Sequence, residues 1–188
     1  MNKIILSIFL TAFLSFPTVS YSQETPEQTL SKILSDIKTS ASTTPVVNYV
    51  DWEKAFNNLS EEKRKKNSIS SSQEMKSYYE NVLKNPIAIM EKQYKKKIAS
   101  LTPQQKPIFE QNFARLKSAL EEKTKEMSER IAESEYEVGV AKVTGDIAIV
   151  PLKRKYIGKT TEENVRLEKS GDKWLLPGVN SLSAKKQN

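Results

Sequence analysis

The hydrophobic and polar positions of this chain follow two different periods, one before and one after about residue 135. Upstream, apolar residues recur at the spacing of an amphipathic helix, as at Leu30, Ile33, Leu34 and Ile37. From Tyr136 onward they alternate, which is typical of strands. All five glycines lie in this second part, where Gly-Asp and Gly-Lys steps indicate turns. The pattern predicts an α+β fold: N-terminal helices followed by a curved antiparallel meander of about four strands, with the helices packed on one face of the sheet.

Within the meander, the alternation assigns a face to most residues. The second strand is predicted over 147–156, and Pro151 inside it lacks the N–H that a ladder needs, so this strand lies at an edge or carries a bulge. In the third strand, Val165 and Leu167 point inward while Glu168 faces water.

The upstream helices begin at proline or capping residues. Thr25-Pro26 with Gln28 forms a capping box. A second helix is predicted to start at Pro45 and to continue through VVNYVDWEKAFNNLS. On it Tyr49 and the other large apolar side chains share one face.

The longest helix is predicted from Pro107 to about Glu133, with an apolar stripe at Phe109, Phe113, Leu116, Leu120, Met127 and Ile131. About 27 residues at 1.5 Å each span roughly 40 Å, more than a compact sheet covers. Part of this 107–133 helix must therefore pack on the 86–100 helix or on a second copy of the chain, as a homodimer.

Composition narrows the chemistry. The chain contains neither histidine nor cysteine and has a net charge of +7. Ser-His-Asp and Cys-His nucleophile systems, cysteine-zinc sites and disulfides are therefore excluded. Carboxylate, tyrosine or lysine chemistry remains, and neither a metal site nor a cofactor is predicted.

The candidate pocket centres on the second helix. Asp51 lies beside Trp52, where a carboxylate, large aromatics and an apolar face converge, so Asp51 and Tyr49 are the candidate catalytic pair. The pocket residues are Tyr49, Trp52, Phe56 and Trp174. The alternative is a solvated Asp51 on the opposite face of the helix.

A basic run, Lys153-Arg154-Lys155, is the candidate anion site. Lys153 and Lys155 share one face of their strand, whereas Arg154 points the other way and either pairs with Glu163 or binds an anionic ligand. Weak attachment to an anionic membrane or polysaccharide is a further hypothesis, whereas nucleic acid binding is not expected. This attachment would also use lysines 95–97 and 185–186.

The first 22 residues have the pattern of a cleaved signal peptide. A charged start at Lys3 precedes a short apolar core, and small residues stand before Gln23. Residues 23–180 are then a single domain, and 181–188 a flexible tail. The expected location is periplasmic or secreted.

The sheet pattern resembles the C-terminal sheet of the nuclear transport factor two-like superfamily. The similarity is carried by x-V-x-G-D-x-A-x-V ending at Val150 and by G-D-K-W-L-L at residues 171–176. It implies a curved sheet around early helices with a cavity between them. The superfamily includes isomerases, dehydratases and hydrolases as well as non-catalytic binding modules, so fold alone does not select a function.

Two functional hypotheses follow. The first, favoured by the missing histidine, is an exported non-catalytic binding or assembly module of the bacterial cell envelope, which binds a protein partner or a small ligand. The alternative is a small cone-pocket enzyme of the lyase, isomerase or hydrolase type that uses Asp51 and Tyr49.

Overall fold

The computed structural model describes residues 23–179 and 181–183. The predicted signal peptide, 1–22, lies outside the described residues, as do residues 184–188 of the predicted tail. The helices are α1 Pro26–Ser40, α2 Trp52–Asn57, α3 Glu61–Asn67, α4 Ser72–Lys84, α5 Pro86–Ile98 and α6 Lys106–Glu133, with 3-10 helices at Thr44–Tyr49 and Ser181–Ser183. The strands are β1 Glu135–Val138, β2 Lys142–Thr144, β3 Ile147–Tyr156, β4 Lys159–Ser170 and β5 Lys173–Leu175.

The strands form one antiparallel sheet that curls into a half-barrel. Its order is β1-β3-β4-β5, with β2 pairing β3 beyond the end of β1. One face is apolar and fully buried at Ala148, Val150, Leu152, Val165 and Leu167. The predicted α+β class, with helices followed by a curved meander, is confirmed.

Helix α1 fills the buried face of this sheet. Leu30 and Ile33 are completely buried, and α1 contacts β1, β3 and β5. The predicted capping box is present: the Gln28 backbone N–H donates to Thr25 Oγ1 at 3.3 Å, and the Thr25 N–H donates to Gln28 Oε1 at 2.9 Å. The capping box therefore fixes the first residue of the helix that packs on the sheet.

The irregularity expected at Pro151 lies in the neighbouring strand. Strand β3 is central, because β4 pairs with one of its edges and β1 and β2 share the other. β1 ends at Val138, opposite Leu152, and β2 resumes at Lys142, opposite Ile149. Pro151 therefore stands at a break between two short strands, where the missing N–H leaves no ladder bond unmade.

The second helix is not continuous, contrary to the sequence prediction. Thr44–Tyr49 is a 3-10 helix, Val50 is extended, and α2 begins only at Trp52. The break occurs because Val50 bridges Leu176: the Asp51 N–H donates to the Leu176 carbonyl at 3.0 Å, and the Leu176 N–H donates to the Tyr49 carbonyl at 2.7 Å. Pairing with the end of the sheet replaces one helical turn.

Helices α5 and α6 form a hairpin, which confirms the predicted 86–100 partner for the first half of α6. Tyr94 stacks on Phe113 and Phe109 with ring centroids 3.8 Å and 5.4 Å apart, and Lys117 Nζ lies 2.7 Å from Glu91 Oε1. Ile131, at the other end of α6, is buried in the core.

Two members of the predicted α6 stripe are exposed. Leu116 is 62% exposed and Met127 is 45% exposed, because the face that meets α5 is displaced toward Lys117 and Leu120. The polar Lys117, paired with Glu91, occupies the position expected for an apolar contact.

Regular structure continues beyond residue 180. Ser181–Ser183, assigned to the tail by sequence, form a 3-10 helix, and Leu182 packs against the core. Among the described residues, no helix is long and apolar enough to cross a membrane.

Candidate functional site

The candidate site is a groove of about 370 Å³ between α2, α4 and the segment that follows the sheet. Helix α2 and its C-cap contribute Trp52, Ala55 and Asn58, and α4 contributes Met75 and Tyr79. The third wall is formed by residues 177–179 and Ser181. We call this recess the aromatic groove.

Two aromatic rings line the aromatic groove. Trp52 and Tyr79 lie with centroids 5.7 Å apart at an interplanar angle of 34°, and Tyr78 braces Tyr79 edge-on at 5.5 Å. The Trp52 indole N–H is already used, since it donates to the Val47 carbonyl at 2.7 Å. The indole therefore offers a binding partner its apolar ring and no hydrogen-bond donor.

The structure does not gather the four predicted pocket residues around one recess. Of the four, only Trp52 lines the aromatic groove. Trp174 is buried in the core, and the Phe56 ring lies 4.2 Å beneath the Arg64 guanidinium carbon. The predicted face does not form because the extended Val50 breaks the helix between Tyr49 and Trp52.

Tyr49 has a structural partner. Its hydroxyl donates to Asp36 Oδ2 at 2.6 Å. Burial, together with this hydrogen bond and the negative charge of Asp36, raises the pKa of Tyr49 from 10.0 to about 12. The phenol is therefore held neutral, as a donor that links the 3-10 helix to α1, and not activated as a base.

Asp51 serves as the N-cap of α2. Its carboxylate accepts the backbone N–H of Lys54 at 3.0 Å, and the residue is half-buried. A carboxylate in this position satisfies an otherwise unpaired helix donor and interacts favourably with the helix dipole. Asp51 is absent from the lining of the aromatic groove, so the two candidate catalytic side chains do not meet in a pocket.

Glu168 is the charged residue whose surroundings the alternation predicted incorrectly. It is only 6% exposed, because Lys54 from α2 pairs with its Oε2 while Arg166 donates from Nε to its Oε1 at 2.8 Å. Burial raises the pKa of this carboxyl, but the hydrogen bonds and charges of Lys54 and Arg166 outweigh burial and lower the pKa below 4.5. Its side chain is therefore an ionised tie between α2 and β4.

Acidic residues on the neighbouring strands lie beside the basic run on β3. Lys153 lies opposite Glu137 of β1 and forms an ion pair with Glu162 of β4 at 3.6 Å. Lys155 lies opposite Glu135. These carboxylates reduce the positive charge that Lys153 and Lys155 present to an anion.

Arg154 and Glu163 do not form the predicted ion pair, because the strand register offsets them. Arg154 lies opposite Thr161, whereas Glu163 lies opposite Leu152. Burial raises the pKa of Glu163, and the Arg154 charge offsets this rise only in part. Lysines 95–97 are exposed at the end of α5, and lysines 185–186 lie outside the described residues.

In the part of the chain that the structure describes, no group of three or more acidic side chains is placed to hold a metal ion. No protein-family model matches the sequence, and no curated protein or solved structure matches it. The resemblance to the nuclear transport factor two-like superfamily therefore stays a prediction.

Proposed function

We propose that this protein is an exported, non-catalytic binding module of the bacterial cell envelope. In this proposal the aromatic groove holds a short apolar or aromatic segment of a partner protein. The observation that carries the proposal is the pairing of Trp52 and Tyr79 in an open recess whose other polar contributors, Asn58 and Ser181, are neutral.

The chemistry of the recess supports binding over catalysis. Among the described residues, none with a carboxylate, ammonium or guanidinium group lines it. The two residues with acid or base chemistry that the sequence offered, Tyr49 and Asp51, are engaged by Asp36 and by a helix N-terminus. The enzyme hypothesis stays a prediction without an assembled site.

The size of the groove supports a polypeptide segment as its occupant. Small-molecule sites generally enclose most of the ligand in about 300 to 1,000 Å³. At about 370 Å³ and open to solvent, this recess is at the lower end of that range and covers one or two side chains. A segment that is anchored by one aromatic residue and continues outside the groove fits this shape, since aromatic anchors dominate binding energy at protein interfaces.

The proposal is tested by selecting phage-displayed linear peptides against the full chain. We expect the selected peptides to share an aromatic or proline anchor. Asn58→Lys places a long charged side chain at the groove, so it should weaken binding of a selected peptide at least tenfold, about 1.4 kcal/mol. Asn57→Lys, also exposed but outside the groove lining, is the matched control and should leave affinity unchanged.

Two results would contradict the binding proposal: selection that yields no common peptide, or peptides that bind both lysine variants equally. Export is tested separately by mass analysis of the protein recovered from producing cells. Cleavage before Gln23 is the expected result, and a retained N-terminus would overturn the export part of the proposal.

A further inference from the structure

Helix α6 has an apolar face that no described element covers. Its main contacts are with α5 near one end and with α1 near the other. Ile108 is 67% exposed, Leu116 62% and Met127 45%. Three large apolar side chains are therefore exposed to solvent along the length of this helix.

These side chains belong to a single stripe. With about 3.6 residues per turn, successive residues are rotated by about 100°, so residues separated by three or four share a face. The stripe consists of Ile108, Asn112, Leu116, Ala119, Lys123 and Met127, all exposed. The centre of the stripe lies roughly a quarter of a turn from Phe113 and Leu120. Those two residues are on the face of α6 that meets α5. A partner can therefore occupy the stripe without displacing α5.

The spacing of positions along the stripe is symmetric. The spacing is four, four, three, four and four residues, which reads the same in both directions and has its midpoint between Lys117 and Ser118. Two copies laid antiparallel about that midpoint place Ile108 opposite Met127, Leu116 opposite Ala119, and Asn112 opposite Lys123. Steps of three or four residues keep all six positions on one side of the helix, where a second helix can pack.

Charge at the edge of the stripe agrees with this arrangement. Arg115 and Glu122 flank the same side of the stripe, both exposed, and an antiparallel pair brings Arg115 of each copy beside Glu122 of the other. A two-fold axis makes this contact twice. Neither residue forms an ion pair within the described part of one chain.

From this self-complementary stripe we propose that the partner of α6 is a second copy of this chain, packed antiparallel as a symmetric dimer. The proposal is independent of the aromatic groove, which lies on α2 and α4. The polar Asn112 and Lys123 limit the apolar area of the seam, so the dimer is weak and depends on concentration. A polar pair at a seam favours one alignment over others.

Sedimentation velocity of the full chain over a concentration series is the first test. We expect a shift from monomer to dimer as concentration rises. Leu116→Glu places two carboxylate charges, one from each copy, at the centre of the seam and should raise the dissociation constant at least tenfold. Ser118→Glu makes the same kind of change on an exposed position outside the stripe and should not.

Exchanging the charges of Arg115 and Glu122 distinguishes this specific pairing from nonspecific hydrophobic association. Arg115→Glu and Glu122→Arg should each weaken the dimer, because each brings like charges together, and the double exchange should restore it. A double variant as weak as either single variant would overturn the assigned alignment.

Orientation is tested by disulfide trapping, for which the absence of native cysteine is convenient. Asn112→Cys and Lys123→Cys chains, altered at opposed positions in the middle of the stripe, are mixed and oxidised gently. Antiparallel pairing predicts mixed disulfides between the two variants, because a disulfide needs Cβ atoms about 4 Å apart. Disulfides only between identical variants would indicate parallel pairing, and a monomer at all concentrations would exclude the dimer; either result overturns the proposal.

Discussion

The backbone N–H of Gly139 donates to the Pro151 carbonyl at 2.8 Å, in the break between β1 and β2 where Pro151 has no N–H to give. The approach is close because position 139 has no side chain: a Cβ there would lie 3.0 Å from Pro151 Cβ and 3.3 Å from its Cγ. A glycine and a proline, each poorly suited to a regular strand, are thus matched to each other.

Gly139→Ala should therefore destabilise the fold by about 1 kcal/mol or more, since overpacking costs about 1 to 3 kcal/mol. Urea unfolding measures this change. Gly178→Ala is the control, because a Cβ there meets nothing within 4 Å and alanine restricts the unfolded chain, so its expected effect is neutral or slightly stabilising. Equal effects of the two substitutions would contradict the steric account.

Glu168→Gln should lower the free energy of unfolding by about 1 to 2 kcal/mol, because it leaves Lys54 and Arg166 without a buried counter-charge. The estimate is modest because both cations are about half exposed. Glu162→Gln, which breaks the exposed pair with Lys153, should cost less than about 0.5 kcal/mol. Chemical unfolding at neutral pH compares the two variants.

The ionised Glu168 should also make the stability of the fold depend on pH in the acid range. Its pKa in the folded chain lies below the ordinary 4.5, so its contribution to stability is complete above pH 4.5 and is lost as the pH falls through the lowered folded value. The stability difference between the native chain and Glu168→Gln should be constant above pH 4.5 and shrink below it. A difference that does not shrink on acidification would contradict the ionised tie.

Tyr49 should make the stability of the fold fall at alkaline pH. Its folded pKa is raised from 10.0 to about 12, so the hydrogen bond to Asp36 stabilises the fold fully below pH 10 and its contribution is lost between pH 10 and about 12. Tyr49→Phe should cost about 1 kcal/mol at neutral pH. Tyr78→Phe should not change the free energy of unfolding measurably, because the Tyr78 hydroxyl has no hydrogen bond among the described residues. Unfolding curves at neutral and alkaline pH test both statements.

Local patterns predicted much of the fold and little of the candidate site. The capping box at Thr25 and the strand over 147–156 depend on neighbours in sequence, and both are present. Trp52 was the one predicted pocket residue that lines the groove, and no pattern in the sequence placed Tyr79 beside it. Those two rings meet because α2 and α4 pack together, a relation that no spacing rule contains.

The sequence by itself determined the class and order of the elements, because helical and strand periods are properties of consecutive residues. It also excluded histidine and cysteine chemistry. Tertiary structure alone decided what interrupts and what covers those elements: Val50 left the helix to bridge Leu176, and Glu168 was buried by Lys54. Such contacts join residues more than a hundred positions apart, and their free energy outweighs the local preference for a continuous helix or a solvated carboxylate.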